Sequence, residues 1–70
     1  MHIGNKIKEI VEKRGITSRW LASQILCDRT NIYLIYKKST IDTELLQKIS
    51  KILDYDFFKD YSDETFLQDD

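Results

Sequence analysis

Hydrophobic residues recur at helical spacing along most of the chain. The first stripe, at positions i, i+4, i+7 and i+8, consists of Ile3, Ile7, Ile10 and Val11. Lysine and glutamate side chains occupy the opposite face, so residues 3–14 are predicted to form an amphipathic helix. We expect this helix to end at Gly15, because glycine readily adopts the left-handed conformation that often follows a helix end.

Three further helix starts share one feature, an N-cap residue preceded by an apolar residue. The expected N-caps, whose side-chain oxygens accept first-turn N–H groups, are Thr17, Asp28 and Asp42. The apolar residue before each can pack against the fourth helical position, in the pairs Ile16 with Leu21, Cys27 with Ile32, and Ile41 with Leu46. The last of these helices is predicted to run to Leu53, and a short final helix should return Phe57, Phe58 and Tyr61 to the core.

Residues 32–36, Ile-Tyr-Leu-Ile-Tyr, are the most ambiguous segment, since β-branched and aromatic residues favour strands. The Asp28 cap and the inward spacing of Ile32 and Ile35 favour a helix, which is our prediction. The fold class is therefore all-α, a compact five-helix domain. Its helices at 17–26 and 28–36, joined by a tight turn, form a helix-turn-helix unit at about residues 17–36.

Length and composition restrict the function classes. Seventy residues make one small domain with a marginal core. The single cysteine, Cys27, and the single histidine, His2, leave no internal disulfide and no multi-ligand metal site, so we expect no metal and no cofactor. No glycine-rich phosphate loop or evident carboxylate pair supports an enzyme. The chain contains no run of 18 apolar residues and no signal-peptide pattern, so we expect a cytoplasmic protein without a membrane partner.

The net charge of −1 conceals a strong asymmetry. Residues 1–53 contain ten Lys/Arg and five Asp/Glu, whereas residues 54–70 contain one lysine and seven acids. This asymmetry indicates a polyanion-binding body with an acidic tail. We place the domain at residues 1–61 and the acidic tail at residues 62–70. We expect the tail to be frayed or engaged with another chain, or to be cut short within a longer natural protein. The alternative is that both regions are ordinary solvated surfaces.

The second helix of the helix-turn-helix unit is expected to project from the core. Such a helix fits the DNA major groove while the preceding helix crosses the backbone, so double-stranded DNA is the expected partner. Expected base contacts come from the exposed side of this helix and are Arg29, Thr30, Asn31, Tyr33 and Leu34. Arg29 suits guanine and Asn31 suits adenine, whereas Leu34 can meet a thymine methyl group. The alternatives are that Arg29 pairs with Asp28 and that Tyr33 packs over the helix surface.

Hydroxyl groups and cations near both helices are candidates for phosphate contacts. These residues are Ser18, Arg19, Lys37, Lys38, Ser39 and Thr40. Contacts of this kind set the register of the protein on DNA and supply salt-dependent affinity without reading sequence. Ser18 and Arg19 additionally lie at the positive end of a helix dipole.

Several short motifs together resemble a known family. Gly15-Ile16-Thr17, Leu21-Ala22, Arg29-Thr30-Asn31-Ile32 and the helix 42–53 are similar to the XRE, or λ-repressor-like, helix-turn-helix domains, which include phage Cro and repressor proteins. The resemblance covers residues 3 to about 60. It implies a five-helix domain that binds operator DNA as a dimer or through paired half-sites and regulates transcription.

Three positions depart from the pattern of that family. Leu26 stands where a glycine is common in the turn, so either the turn is wound differently or packing of Leu26 compensates for the strain. Ser18 replaces a glutamine that often holds a phosphate. Leu34 occupies a position that is frequently polar.

A competing interpretation is a protein-interaction module, or an antitoxin-like regulator that binds both a protein and its own operator. It would use an exposed surface of Tyr33, Leu34 and Tyr36.

Trp20 is expected to be half-buried against a neighbouring helix. The aromatic C-terminal region, composed of Tyr55, Phe57, Phe58 and Tyr61, is the candidate homodimer interface, because aromatic residues are enriched at such interfaces.

Overall fold

The computed structural model describes residues 1–67, and in that range the fold is all-α, as predicted. Five helices are present there: α1 (Ile3–Lys13), α2 (Ser18–Ile25), α3 (Arg29–Tyr36), α4 (Thr43–Leu53) and α5 (Phe57–Phe66). Each hydrophobic stripe becomes the inner face of its helix. None of these helices is long and apolar enough to cross a membrane.

The helix starts are fixed by local capping, with one correction. Thr17 accepts a hydrogen bond from the Trp20 N–H at 3.0 Å, and Asp42 accepts one from the Leu45 N–H at 2.8 Å, as predicted. Asp28 stands at the N-cap of α3, but its side chain forms no capping hydrogen bond, so that part of the prediction was wrong. The carbonyl oxygen of Asp28 instead accepts the Asn31 N–H at 2.9 Å.

Two caps were not predicted from the sequence. Nδ1 of His2 accepts the Asn5 N–H at 3.1 Å at the start of α1. Asp56 caps α5 by accepting the Lys59 N–H at 3.1 Å. Both residues precede helices whose first turns lack the apolar residue pairs that identified the other starts.

One hydrophobic core joins all five helices. Its buried members are Ile3, Ile7, Ile10, Val11, Leu21, Ala22, Ile32, Ile35, Tyr36, Leu46, Ile49, Leu53 and Phe57. Helix α3 packs against both α1 and α2, and α2 packs against α4. The short helices α2 and α3 are therefore held by the longer helices on either side of them.

The backbone at the start of α1 closely approaches the backbone at the end of α3. A Cβ atom on Gly4 would overlap with the carbonyl oxygens of Tyr36 and Ile35, so only glycine fits here. The Gly4 N–H donates to the Lys38 carbonyl at 2.9 Å, and the Ile3 N–H donates to the Ser39 carbonyl at 3.2 Å. These bonds anchor the loop that follows α3 on the first turn of α1.

The C-terminal helix is longer than the sequence suggested. Helix α5 continues to Phe66, so residues 62–66 are helical and not frayed, and the alternative that the tail engages another chain stays a prediction. Phe57 is fully buried, and the Tyr55 hydroxyl donates to an Asp60 carboxylate oxygen at 2.7 Å. The division into a body and a tail at residue 61 stays a prediction, and residues 68–70 of the proposed tail lie outside the described residues.

Candidate nucleic-acid interface

Helices α2 and α3 are joined by a turn in which Leu26 is left-handed, with φ 66° and ψ 47°. The Leu26 N–H and the Cys27 N–H are both directed to the Ala22 carbonyl, which ends α2. Leu26 thus adopts the conformation usually reserved for glycine, and its side chain is 90% exposed. Neither of our two explanations holds, because the turn is not wound to avoid this conformation and no packing compensates for it.

Helix α3 presents one buried face and one exposed face. Ile32, Ile35 and Tyr36 point into the core. The opposite face carries Thr30, Tyr33, Leu34 and Lys37 at positions i, i+3, i+4 and i+7. Arg29 and Asn31 lie at the edges of this face and are also exposed. All five candidate base-contacting side chains are therefore accessible to an external partner.

Arg29 and Tyr33 on α3 each had an alternative role within the fold. Arg29 makes no ion pair with Asp28 within residues 1–67, where the ion pairs involve other residues. Tyr33 is 48% exposed, and its ring meets that of Tyr36 edge-on at 6.2 Å between centroids. Tyr33 therefore partly packs over the helix surface while it remains accessible.

The interpretation that grouped Tyr36 with the exposed residues was wrong. Its side chain is buried, and its hydroxyl lies 3.0 Å from Oγ of Ser18, at the start of α2. Burial raises the pKa of Tyr36, whereas the hydrogen bond between the Tyr36 and Ser18 hydroxyls opposes the rise. The apolar surface proposed for a protein partner therefore loses Tyr36, and the Ser18 hydroxyl already has a partner inside the fold.

The candidate phosphate-contacting residues lie at the start of α2 and in the loop that follows α3. Arg19 is exposed in the first turn of α2, and residues 37–40 form the exposed loop after α3. Residues 13–41 contain six Lys/Arg and a single acid, Asp28. The region around the helix-turn-helix unit is consequently cationic, although the whole chain is not.

The C-terminal aromatic residues do not all reach the surface. Phe57 was wrongly included as an interface candidate, because it is completely buried. Tyr55 and Tyr61 are partly buried against the core, and Phe58 is 38% exposed. Trp20 is 44% exposed on α2, close to the expected half-burial.

Sequence reasoning missed a cleft beside α3. It opens between the first turns of α1 and the exposed face of α3, and it is lined by His2, Asn5, Lys8, Tyr33, Tyr36 and Lys37. The spacing of Asn5 and Lys8 puts them on one side of α1. The sequence could not reveal which other helix that side approaches.

Comparison with known proteins agrees with this geometry. The family profile described as the Cro/C1-type HTH DNA-binding domain matches residues 6–60, which includes the whole helix-turn-helix unit and most of the chain. Neither a search of curated proteins nor a search of solved structures found a significant match. Because the profile covers well over half of the chain, the chain belongs to the Cro/C1-type helix-turn-helix DNA-binding family.

Proposed function

We propose that the protein is a sequence-specific transcriptional regulator that inserts α3 into the major groove of an operator. The observation that carries this proposal is the exposed face of α3, which holds Thr30, Tyr33 and Leu34 clear of the core. An α-helix fits the major groove, where each base pair presents a distinct pattern of donors, acceptors and methyl groups. The protein acts by binding DNA and not by catalysis, and its place of action is the cytoplasm.

The residue types on α3 suggest how a half-site is read. Arg29 can donate two hydrogen bonds to guanine O6 and N7, and Asn31 can form a bidentate pair with adenine. Leu34 is 51% exposed and has no polar atom on its side chain, so its best partner is a thymine methyl group. Thr30 and Tyr33 combine apolar surface with a hydroxyl that can bond to a base, a sugar or a phosphate.

Phosphate contacts on both sides of α3 would hold it in register. The donors come from the start of α2 and from the loop after α3, and they are Arg19, Lys37, Lys38, Ser39 and Thr40. Ser18 can contribute its backbone N–H, which lies at the N-terminus of α2. The hydrogen bonds from Ile3 and Gly4 to the loop carbonyls reduce the freedom of that loop before DNA arrives. Less ordering entropy then has to be lost on binding.

Binding to paired half-sites requires two copies of the chain. We propose a homodimer centred on Phe58, which is the most exposed residue of the aromatic C-terminal region defined above and which accompanies the partly buried Tyr55 and Tyr61. Sedimentation of Phe58→Ser against the wild type tests this part. A wild-type protein that stays monomeric on a selected operator contradicts it.

Operator selection from random duplexes, followed by anisotropy titrations, tests the main proposal. We expect Arg29→Ala and Asn31→Ala each to weaken cognate binding by about 1–3 kcal/mol and to relax preference at one base pair. Lys51→Ala removes an exposed cation from α4, on a different helix, and should leave binding unchanged. Failure of the wild type to bind any duplex at low salt would overturn the proposal. That result would favour a protein partner for Tyr33 and Leu34.

A further inference from the structure

The cleft between α1 and α3 has one wall outside the helix-turn-helix unit, on α1, and is continuous with the exposed face of α3. It is lined by His2, Asn5 and Lys8 on one side and by Tyr33, Tyr36 and Lys37 on the other. Its volume is about 560 Å³. That is many times the roughly 30 Å³ that a water molecule occupies in the liquid, so the cleft has room for a group much larger than a water molecule.

The two lysines of the cleft differ from those on the far side of α1. Lys6 and Lys13 both form ion pairs with Glu9, at 3.6 and 3.8 Å. Lys8 and Lys37 form no ion pair with any residue in the range 1–67. The positive charge of the cleft is therefore available to an external anion.

The remaining polar groups of the cleft are mostly hydrogen-bond donors. Because Nδ1 of His2 accepts the Asn5 N–H, the neutral imidazole carries its proton on Nε2 and can donate from there. Asn5 offers a side-chain amide, and the Tyr33 hydroxyl makes no hydrogen bond within the described residues. The lining contains no carboxylate. Glu9 forms its ion pairs with Lys6 and Lys13, and Glu12, one turn beyond Lys8, is close enough to Tyr36 to contribute to the rise in its pKa.

The walls of the cleft are fixed relative to each other. The hydrogen bonds of Ile3 and Gly4 to the carbonyls of Ser39 and Lys38 join the first turn of α1 to the end of α3. The absence of a Cβ atom on Gly4 permits this approach. Lys8 and Lys37 therefore belong to one rigid surface, and a ligand held by Lys37 is within the same recess as Lys8.

We propose that this cleft binds a phosphodiester group of the DNA backbone, so that the DNA footprint extends from the helix-turn-helix unit onto α1. A phosphodiester carries one negative charge and only acceptor oxygens, which matches two free lysines and a set of donors. This inference rests on the proposed function, because α3 must lie in the groove for the adjoining backbone to reach the cleft. It adds His2, Asn5 and Lys8 to the residues that contact DNA.

The test is the salt dependence of DNA affinity in two matched lysine variants. Each lost phosphate contact reduces the slope of log K against log salt by about 0.9. We expect Lys8→Ala to show this reduction on cognate and random duplexes alike, because backbone contacts carry no sequence information. Lys13→Ala removes the same charge from the same helix on the side away from the cleft and should retain the wild-type slope.

The outcomes separate this inference from the proposed function. If the wild type binds with a steep salt slope that Lys37→Ala reduces, and Lys8→Ala behaves like Lys13→Ala, the cleft is not a DNA site and the inference is overturned. If the wild type fails to bind DNA at low salt, the proposed function itself fails. Circular dichroism of each alanine variant establishes that the helices are intact, and Lys8→Glu provides a second variant, for which we expect a larger loss than for Lys13→Glu.

Discussion

The hydroxyl oxygens of Ser18 and Tyr36 lie 3.0 Å apart and connect the first residue of α2 to the last residue of α3. This contact joins the two helices of the helix-turn-helix unit at the ends that lie away from the turn. At their other ends, the turn that contains Leu26 connects the helices covalently. The unit is thus fixed at both ends. Its geometry depends on a buried tyrosine that sequence reasoning had assigned to the surface.

Tyr36→Phe should lower stability, because it removes this hydrogen bond while it keeps the buried ring. A typical intramolecular hydrogen bond contributes about 0.5–1.5 kcal/mol, and we expect a loss in that range from urea denaturation. Tyr33→Phe is the matched control, since the Tyr33 hydroxyl is on an exposed side chain, and its effect should stay within about 0.5 kcal/mol. Equal losses in the two variants would argue that the contact to Ser18 stabilises nothing.

Burial raises the pKa of Tyr36 above its ordinary value of about 10, and the hydrogen bond to Asp60 raises the pKa of Tyr55. The folded state therefore favours both neutral phenols more than the unfolded state does. The stability that this contributes is complete below about pH 10 and is lost as the pH rises through the raised pKa values. We expect Tyr36→Phe to lose less stability than the wild type as the pH rises above about 10. Identical alkaline limbs for the two proteins would contradict this.

Gly4→Ala should be destabilising, although alanine is normally the better helix former by about 1 kcal/mol. A Cβ atom at this position overlaps with backbone carbonyls of α3, and backbone atoms cannot move aside as a flexible side chain can. We expect a loss of about 1–3 kcal/mol in thermal or urea unfolding. Gly15→Ala is the comparison, because nothing lies within 4 Å of a Cβ there and only the strain of its φ of 67° applies. A smaller loss at Gly4 than at Gly15 would contradict the close approach.

The parts of the fold that the sequence predicted are those set by local rules. The stripe of α1 and the caps Thr17 and Asp42 depend on residues within one or two turns of each other. Tyr36 could also have been placed correctly, because it follows Ile32 by four residues and therefore shares its face. Gly4 could not, since its need for glycine arises from α3, more than thirty residues away in the chain.

The candidate DNA-binding residues divide in the same way. Once Ile32 and Ile35 are placed inward, the helical period alone turns Thr30 and Leu34 outward. Lys8 belongs to the candidate surface only because α1 packs against α3, which is a tertiary contact. The left-handed conformation of Leu26 was recognised as a problem from the sequence, but its exposure was visible only in the fold.

The caps of α3 and α4 give a matched pair of aspartates. Asp42→Ala removes a 2.8 Å hydrogen bond to the Leu45 N–H and should cost about 1 kcal/mol. Asp28→Ala removes no capping hydrogen bond, so only its interaction with the helix dipole is lost, and we expect a few tenths of a kcal/mol. Urea denaturation of both variants checks the order. An equal or larger loss for Asp28→Ala would mean that Asp28 caps α3 in solution after all.

Leu26→Gly should stabilise the fold, which is unusual for a substitution that removes a large apolar side chain. The left-handed conformation costs a residue with a Cβ atom about 1–2 kcal/mol, whereas the greater freedom of glycine in the unfolded chain costs about 0.4–1 kcal/mol. Little packing is lost, because Leu26 is 90% exposed, so we expect a net gain of about 0.5 kcal/mol.

Asp54→Gly is the control at the other left-handed residue, with φ 52°. Aspartate tolerates this conformation better than leucine does, so the gain there should be smaller. If Leu26→Gly instead destabilises the protein, Leu26 contacts another surface in solution, and its exposed side chain would belong to the docking face of a partner.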